Sequence, residues 1–124
     1  MSAATRLILV FDADSGLKAM LADVVKKAFG REDCALCEIT YSPLGKRRTW
    51  QACEARLSMP VRELHRDELP PAWGLDHAQL PCVLVQEGEA KPEMLLTKSQ
   101  ISACEGRVDE LERKLREAIA ARAH

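Results

Sequence analysis

The feature that most constrains the fold is an unbroken apolar run near the start of the chain, from Leu7 to Phe11, which ends at Asp12. Because the run is far shorter than a signal-peptide core or a membrane span, it predicts neither. Short apolar runs that are followed at once by carboxylates are typical of a central strand entering a tight strand-to-helix turn. The run therefore predicts a buried parallel strand in an α/β protein.

The size and charge of the chain narrow the class of protein further. Its 124 residues fit a single domain, residues 1–124, that can bury a core without a disulfide or metal staple. Hydrophobic residues make up 47% and charged residues 30%, which is a globular rather than a disordered balance. The formal net charge of -1 provides no bulk positive field for nucleic acid or anionic lipid. The sequence therefore carries no bulk charge signal for nucleic acid, although a local basic patch is still compatible with it, and we expect no membrane partner.

The five cysteines of the chain predict a cytoplasmic protein, since no export signal is evident in the sequence. Five is an odd number, and reducing compartments do not maintain structural disulfides. The thiols are therefore expected to be free, metal-bound or redox-active.

The first half of the chain predicts two helices. Apolar residues at helical spacing predict one over 17–28, with Ser15 as its N-cap and a glycine at its end. Residues 31–41 have a mixed pattern, which predicts a loop closing into a short strand. Ser42 and Pro43 then have the residue types of an N-cap and a first helical position, so a second helix is expected to begin there. Its buried face would carry Trp50, Cys53 and Leu57.

Three consecutive cations, Lys46, Arg47 and Arg48, lie near the start of that second helix. Positive charge at a helix N-terminus opposes the helix macrodipole and costs free energy. We therefore predict that a ligand or a carboxylate partner offsets this cost.

The second half of the chain predicts a strand, a β-hairpin and a closing helix. Residues 60–65 alternate apolar and polar side chains as a strand does, and a Pro-Pro break follows in a loop or short helix over 69–80. The segments 82–87 and about 93–97 are separated by a short turn with a glycine, so they are expected to pair antiparallel. A one-sided apolar stripe over 108–122 predicts an amphipathic helix packed on the sheet.

This order of elements resembles that of thioredoxin-like domains, and Leu80-Pro81-Cys82-Val83 resembles the cis-proline segment before their third core strand. The resemblance implies a three-layer α/β fold with a mixed sheet of four to five strands, flanking helices and a C-terminal ββα unit. Thioredoxins carry their Cys-x-x-Cys at the start of the helix after the first strand. This chain has Asp14-Ser15-Gly16-Leu17 at that place, and its own pair, Cys34 and Cys37, comes after that helix.

The chain also resembles a family of small bacterial proteins with no settled activity. The matching motifs are Asp12-Ala13-Asp14-Ser15-Gly16-Leu17, Cys34 with Cys37, Thr40-Tyr41, Trp50, His65-Arg66-Asp67-Glu68 and Cys104. The resemblance covers most of the chain, and it implies which residues matter rather than what they do.

Cys34 and Cys37 are the first candidates for chemistry, because two intervening residues let both sulfurs approach each other or a single metal ion. Three interpretations follow: a redox dithiol, half of a zinc or copper(I) site, or two small residues in a loop. A metal site would need further ligands from Cys53, Cys82, Cys104, His65 or His77.

The other cysteines are expected to differ in role. Cys104, between a short turn and Gly106, is the better candidate for a resolving thiol. Cys82 in an apolar strand is expected to be a core residue, although a cis Pro81 would let it reach a thioredoxin-type active face. Cys53 shares a helix face with apolar neighbours and is expected to serve in packing.

His65 begins a run of polar residues, His65-Arg66-Asp67-Glu68, that follows the strand over 60–65. The run suits either acid/base catalysis or the solvation of a strand end. Parallel strands bring the loops that leave their carboxyl ends to one edge of a sheet, where open α/β proteins bind their ligands. We therefore predict that one edge brings together Asp12, Asp14, Cys34, Cys37 and His65.

Three functions are compatible with these observations. The first is a thiol-redox or redox-sensing protein that cycles Cys34 and Cys37 between dithiol and disulfide with a protein or thiol partner. In that case the cations at 46–48 would stabilise the thiolate. The second is a zinc- or copper-binding module that uses the same two cysteines. The third is a non-catalytic adaptor.

Overall fold

The residues that a computed structural model describes are 5–12, 35–42 and 45–122. Over these ranges the chain is a mixed α/β protein with a four-stranded mixed sheet, a two-stranded sheet and flanking helices. The helix predicted over 17–28, together with Asp14 and Cys34, lies outside the described residues. No helix in the described part of the chain is both long and apolar enough to span a bilayer.

The described elements are a mixture of strands and helices. In chain order they are β1 (Thr5–Phe11), α1 (Ala35–Thr40), β2 (Tyr41–Ser42), β3 (Gly45–Lys46), α2 (Arg48–Arg56), β4 (Val61–His65), β5 (Cys82–Glu87), β6 (Glu93–Leu96), α3 (Lys98–Ser102) and α4 (Val108–Arg122). The connection between β4 and β5 contains 3₁₀ turns at Arg66–Glu68, Pro71–Trp73 and His77–Gln79.

The strands of the main sheet lie in the order β4-β1-β5-β6. β1 runs parallel to β4, with Phe11 opposite His65, whereas β5 runs antiparallel to both β1 and β6. These directions bring the carboxyl ends of β1, β4 and β6 and the start of β5 to one side of the sheet. We call this side the carboxyl edge, and the residues that mark it are Phe11, His65, Cys82 and Leu96.

β1 is buried on both faces, as its apolar run predicts. Alternate residues of a strand point to opposite faces, and here Leu7, Leu9 and Phe11 point to a core shared with the helices. Helices α1 to α4 contribute to this helical core the buried side chains of Leu36, Ile39, Trp50, Cys53, Ile101, Leu111 and Leu115. A second core on the other face holds Ile8, Val10, Leu64, Leu80, Cys82 and Leu84, with Leu69, Trp73 and Leu75 packed against it.

The C-terminal hairpin and the closing helix are confirmed. β5 pairs antiparallel with β6, with Val83 opposite Leu96, and the peptide bond before Pro81 is cis. Helix α4 packs on the sheet through Leu111 and Leu115, which are fully buried in the helical core. This ββα unit agrees with the expectation in order and in strand direction.

Two expectations for the segment before α2 are wrong. Ala35–Thr40 forms helix α1 instead of a loop, and the next helix begins at Arg48 instead of at Ser42. The intervening β2–β3 hairpin includes Gly45, whose φ of 118° is a conformation that side-chain-bearing residues rarely adopt. A helix cannot pass through a residue in that conformation, so the N-cap pattern at Ser42 does not start one.

Helix α3 is an element that periodicity misses, since it is only five residues long. Thr97 and Gln100 form a capping box at its start. The Thr97 hydroxyl accepts from the Gln100 N–H at 3.3 Å, and the Gln100 side chain accepts from the Thr97 N–H at 2.8 Å. The Thr-x-x-Gln pattern is therefore the sequence signal that would have located this helix.

Candidate functional site

Three ring side chains meet at the carboxyl edge next to helix α1. Phe11, the last residue of β1, contacts the imidazole of His65, with ring centroids 5.6 Å apart. Phe11 also contacts Tyr41 in an edge-to-face arrangement, with centroids 5.9 Å apart. Because Tyr41 directly follows helix α1, these contacts attach that helix, and Cys37 within it, to the carboxyl edge.

Cys37 is disulfide-bonded. Its side chain is partly buried against the helical core, and helix α1 packs against α3, α4 and β1. Its predicted partner, Cys34, lies outside the described residues. The structure therefore locates one cysteine of the predicted pair, in helix α1 against the helical core.

Arg47 closes the C-terminal end of helix α1. Its backbone N–H donates to the carbonyl of Thr40 at 2.8 Å, and its Nε donates to the carbonyl of Glu38 at 3.1 Å. The last carbonyls of a helix lack partners within it and carry partial negative charge, so a guanidinium is favourable there. The free-energy cost of a positive charge at the start of α2 is thus offset, for Arg47, by its contacts at the end of α1.

Lys46 lies between two carboxylates, in a group of four side chains that we call the Lys46 cluster: Tyr41, Lys46, Glu54 and Glu63. The Lys46 ammonium is 2.6 Å from Glu63 Oε2 and 3.1 Å from Glu54 Oε1. The Tyr41 hydroxyl donates to Glu63 Oε1 at 2.6 Å. The predicted carboxylate partner of the cations is therefore confirmed for Lys46, and it comes from two elements, α2 and β4.

The Lys46 cluster changes the ionisation of its members. Burial and the neighbouring Glu63 raise the pKa of Tyr41 to about 12. Burial disfavours the charge of Lys46, but Glu63 and Glu54 outweigh it and raise the pKa of Lys46 above its usual value. The contact with Glu54 is ionic rather than a well-aligned hydrogen bond. At neutral pH Tyr41 is uncharged and Lys46 is charged, so neither can serve as a general base.

His65 and Glu68 form a dyad at the end of β4. Glu68 Oε1 lies 2.8 Å from His65 Nδ1 and also accepts the backbone N–H of His65 at 2.8 Å. These hydrogen bonds lower the pKa of Glu68. Arg66, in the same turn, forms an ion pair of 3.4 Å with Asp12 at the end of β1. Asp12 and His65 thus share the carboxyl edge as predicted, whereas Asp14 lies outside the described residues.

Cys53, Cys82 and Cys104 are free thiols, and all three are buried. Burial raises the pKa of Cys53 to about 11 and that of Cys82 to about 12, and it also raises the pKa of Cys104. Cys53 belongs to the helical core and Cys82 to the second core, so the packing roles expected for both are confirmed. Enclosed, protonated thiols are poor nucleophiles and poor metal ligands.

Cys104 follows helix α3, which packs against α1. Its thiol donates to the carbonyl of Gln100 at 3.5 Å and is enclosed in the helical core. Two residues later, Gly106 lies against the side chain of Glu38, where an added Cβ would come within 3.4 Å of Glu38 Oε1. The segment of Cys104 therefore neighbours the helix of Cys37, but a resolving role would require its thiol to become exposed.

The described residues do not form a ready metal site. Within 5–12, 35–42 and 45–122, no group of three His, Cys, Asp or Glu side chains is arranged to hold an ion. His77 is exposed in the connection between β4 and β5, whereas Cys53, Cys82 and Cys104 are buried in the cores. The further ligands suggested for a zinc or copper site are thus split between the surface and the interior.

A groove of about 450 Å³ opens between α2 and the start of α4. Arg47, Arg56 and Arg107 line it. Arg56 already pairs with Glu112 at 2.6 Å, and Arg107 pairs with Asp109 at 2.7 Å. The groove is therefore rimmed largely by charges that the chain itself neutralises.

No family model, no curated protein and no solved structure matches this chain. Any function of the chain therefore lies in the chemistry of its own side chains. Two features carry chemistry: the disulfide of Cys37 in helix α1, and the dyad of His65 and Glu68 at the carboxyl edge.

Proposed function

We propose that this chain is a thiol–disulfide redox protein whose working pair is Cys34 and Cys37. The observation that carries the proposal is the disulfide at Cys37. The chain has five cysteines, and Cys53, Cys82 and Cys104 are free thiols, so we propose the remaining cysteine, Cys34, as the partner. Two cysteines separated by two residues are the arrangement typical of reactive dithiols.

The proposed reaction is exchange between this dithiol and the disulfide of a protein or small thiol partner. One thiolate of the reduced pair attacks a sulfur of the partner disulfide, forms a mixed disulfide and releases the first partner thiol. The second cysteine of the pair then displaces the other partner thiol. The pair becomes a disulfide, and the partner gains two electrons and two protons. An external dithiol reduces the pair again, and a redox sensor would use the oxidised state as its signal.

The strand order supports the proposal. A parallel pair, β4 and β1, beside antiparallel β5 and β6 and a closing helix is the order expected of a thioredoxin-like domain. We therefore propose a three-layer thioredoxin-like arrangement for the chain, in which Cys37 of the reactive pair lies in helix α1. The carboxyl edge is then its working face.

The other thiols support the choice of pair. They are buried and protonated at neutral pH, so they do not compete with Cys34 and Cys37 for a partner disulfide. Free thiols suit a reducing compartment, and we propose the cytoplasm as the location. The resemblance to the small bacterial family belongs to the same proposal, since its motifs include this pair.

Differential thiol trapping tests the proposal. Protein denatured without reductant should be alkylated at three cysteines and reduced protein at all five. Peptide masses should assign the two protected sulfurs to Cys34 and Cys37. Equilibration in glutathione buffers should give one reversible two-electron transition. A Cys34→Ser, Cys37→Ser variant should lack the transition, and Cys53→Ala should keep it.

Alkylation of all five cysteines under every buffer would contradict the redox assignment. Elemental analysis of the same protein, purified without chelator, distinguishes the redox assignment from metal binding. Stoichiometric zinc or copper that the double variant loses would replace the redox proposal with a metal-binding one.

A further inference from the structure

The groove between α2 and the start of α4, which we call the arginine groove, holds more positive than negative charge. The guanidinium groups of Arg47, Arg56 and Arg107 line it, against the carboxylates of Asp109 and Glu112. The whole chain has a formal net charge of -1, so the excess of positive charge is a local property of the groove. Such a local excess attracts anions.

Arg47 has no carboxylate partner among the described residues. Its Nε donates to the backbone carbonyl of Glu38 at 3.1 Å, and its side chain is exposed. A guanidinium has five N–H donors and no acceptor, so the donors on Nη1 and Nη2 remain available to a ligand. The contact with Glu38 restrains the guanidinium, which lowers the entropy cost of binding an anion there.

Arg107 has a carboxylate partner, but the pair is open to solvent. Its Nε and Nη2 donate to the carboxylate of Asp109 at 3.3 Å and 2.7 Å. The two side chains are 62% and 68% exposed, and water screens an ion pair in that setting. An anionic ligand can therefore compete with Asp109 for Arg107 at little cost in free energy.

Arg56 shares its carboxylate with another cation. Glu112 accepts from Arg56 Nη2 at 2.6 Å and from Arg116 Nη2 at 2.9 Å, so two guanidinium groups have one carboxylate between them. Arg56 binds Glu112 through Nε and Nη2, which leaves the donors on its Nη1 for a ligand. The charge of Arg56 is thus only partly neutralised.

We propose that the arginine groove binds the phosphate group of a small phosphate ester through Arg47, Arg56 and Arg107. A planar guanidinium matches two oxygens of a phosphate at once. A phosphate monoester carries a charge of about -2 at neutral pH, which suits a site with more than one incompletely neutralised cation better than the single charge of a carboxylate does. This proposal does not depend on the thiol chemistry.

The rest of the groove suits the organic part of such a ligand. Its volume of about 450 Å³ is in the range of small-molecule sites. Ala52 and Val108 supply apolar surface, and Thr49 supplies a hydroxyl. One further carboxylate opposes an anion, because the side chain of Glu38 lies against Gly106 at the groove. Glu38 is exposed, so water screens its charge and it should weaken binding without preventing it.

Titration of the folded chain with phenyl phosphate, followed by the chemical shifts of the backbone amides, tests the proposal. The amides of residues 47–56 and 106–112 should shift along a saturating curve. Arg47→Gln should raise the Kd by about tenfold, because it removes charge-assisted hydrogen bonds to the phosphate. Arg113→Gln is the matched control, since it removes the same charge from α4 at a residue that pairs with Glu110 and Glu117 outside the groove. It should leave the Kd unchanged.

Two variants should change the affinity in the opposite direction. Asp109→Asn removes the carboxylate that competes for Arg107, and Glu38→Gln removes the charge beside Gly106. Both should lower the Kd for phenyl phosphate, because each takes a negative charge away from the site. The dispersion of the amide spectrum shows whether each variant is folded.

Two other probes test the class of ligand. Benzoate, which has the same ring and a single charge, should bind about tenfold more weakly than phenyl phosphate. Inorganic phosphate, which has no apolar part, should bind about threefold more weakly.

The proposal is overturned if the shifts do not saturate at millimolar concentrations, if they lie outside the groove, or if Arg47→Gln and Arg113→Gln change the Kd equally. Benzoate that binds as tightly as phenyl phosphate would overturn the choice of a phosphate. Inorganic phosphate that binds as tightly would overturn the choice of an ester.

Discussion

The hydroxyl of Tyr41 donates a 2.6 Å hydrogen bond to the carboxylate of Glu63, which ties the residue after helix α1 to the edge strand β4. Lys46, which pairs with Tyr41 across the β2–β3 hairpin, binds the other oxygen of the same carboxylate. The hairpin therefore holds the end of α1 at the carboxyl edge. The position of Cys37 depends on these polar contacts as well as on the helical core.

The ionisation of Tyr41 should report on this hydrogen bond. Tyr41 is the one tyrosine in the chain, so phenolate absorbance follows it alone. Burial and Glu63 raise its pKa from 10.0 to about 12, so the native protein should titrate near pH 12. Because the folded-state pKa is the higher one, the contribution of Tyr41 to stability is complete below pH 10 and is lost as the pH rises to about 12.

Glu63→Gln should lower the midpoint of the native phenol titration, because it removes the carboxylate charge that opposes the phenolate. Tyr41→Phe should abolish the change in phenolate absorbance altogether. A midpoint at pH 10 in protein that circular dichroism shows to be folded would contradict the hydrogen bond.

Lys46→Met should destabilise the fold by about 2 kcal/mol, because it leaves two largely buried carboxylates without their cation. The side chains of Lys46, Glu54 and Glu63 are only 27%, 24% and 19% exposed. Arg113→Met is the matched control, since Arg113 also lies between two carboxylates but is 51% exposed on α4. It should cost less than about 1 kcal/mol. Urea unfolding measures both values, and equal losses would contradict the special role of Lys46.

The elements predicted from sequence are those whose own residues determine them. β1 has a continuous apolar run, β5 and β6 flank a short turn, and α4 has an apolar stripe over four turns. Each of these patterns predicts its element without knowledge of the elements that pack against it. Helix α1 has six residues and the strands of the β2–β3 hairpin two each. Contacts distant in sequence fix them, such as that between Tyr41 and Glu63, and a local pattern carries no information about such contacts.

The same distinction applies to the candidate site. The sequence predicts both strands, and on the condition that they run parallel it places Asp12 and His65 on one edge; the structure shows this parallel pairing. Charge arguments required a carboxylate for the cations at 46–48, but they could not choose Glu54 and Glu63 among the 19 acidic residues of the chain. The His65–Glu68 contact has a local spacing of three residues, and the turn at Arg66–Glu68 closes it.

Glu112 joins α2 to α4, and we expect its contribution to the free energy of unfolding to be lost in acid. It accepts hydrogen bonds from Arg56 at 2.6 Å and from Arg116 at 2.9 Å, which lower its pKa from 4.5 to about 2. Because the folded-state pKa is the lower one, this contribution is complete above pH 4.5 and is lost as the pH falls to about 2.

Glu112→Gln should therefore be less stable than wild type near pH 6, and the difference should vanish as the pH approaches 2. Urea unfolding at a series of pH values measures it. Glu117→Gln is the control, because Glu117 binds Arg113 on the same helix but is 64% exposed, against 16% for Glu112. Its effect should be smaller. A stability difference for Glu112→Gln that does not change with pH would contradict the assignment.

Cys82 should behave as a core residue although it lies at the start of β5 on the carboxyl edge. It stands opposite Val10 and is fully buried in the second core, and burial raises its pKa from 9.0 to about 12. Because the thiol stays protonated and enclosed in the folded state, we expect it to be alkylated at pH 8 no faster than the chain unfolds. Cys34 and Cys37 of the reduced protein should react directly. Peptide masses after timed pulses of alkylating agent measure the three rates.

Cys82→Ala completes this test, because it removes the sulfur without adding a polar group to the second core. The variant should lose about 1 kcal/mol of stability and keep the redox midpoint of the wild type. Cys53→Ala, in the helical core, should behave in the same way and serves as the control. Rapid labelling of Cys82 in the native protein, or a redox midpoint that moves in Cys82→Ala alone, would mean that its sulfur reaches the working face.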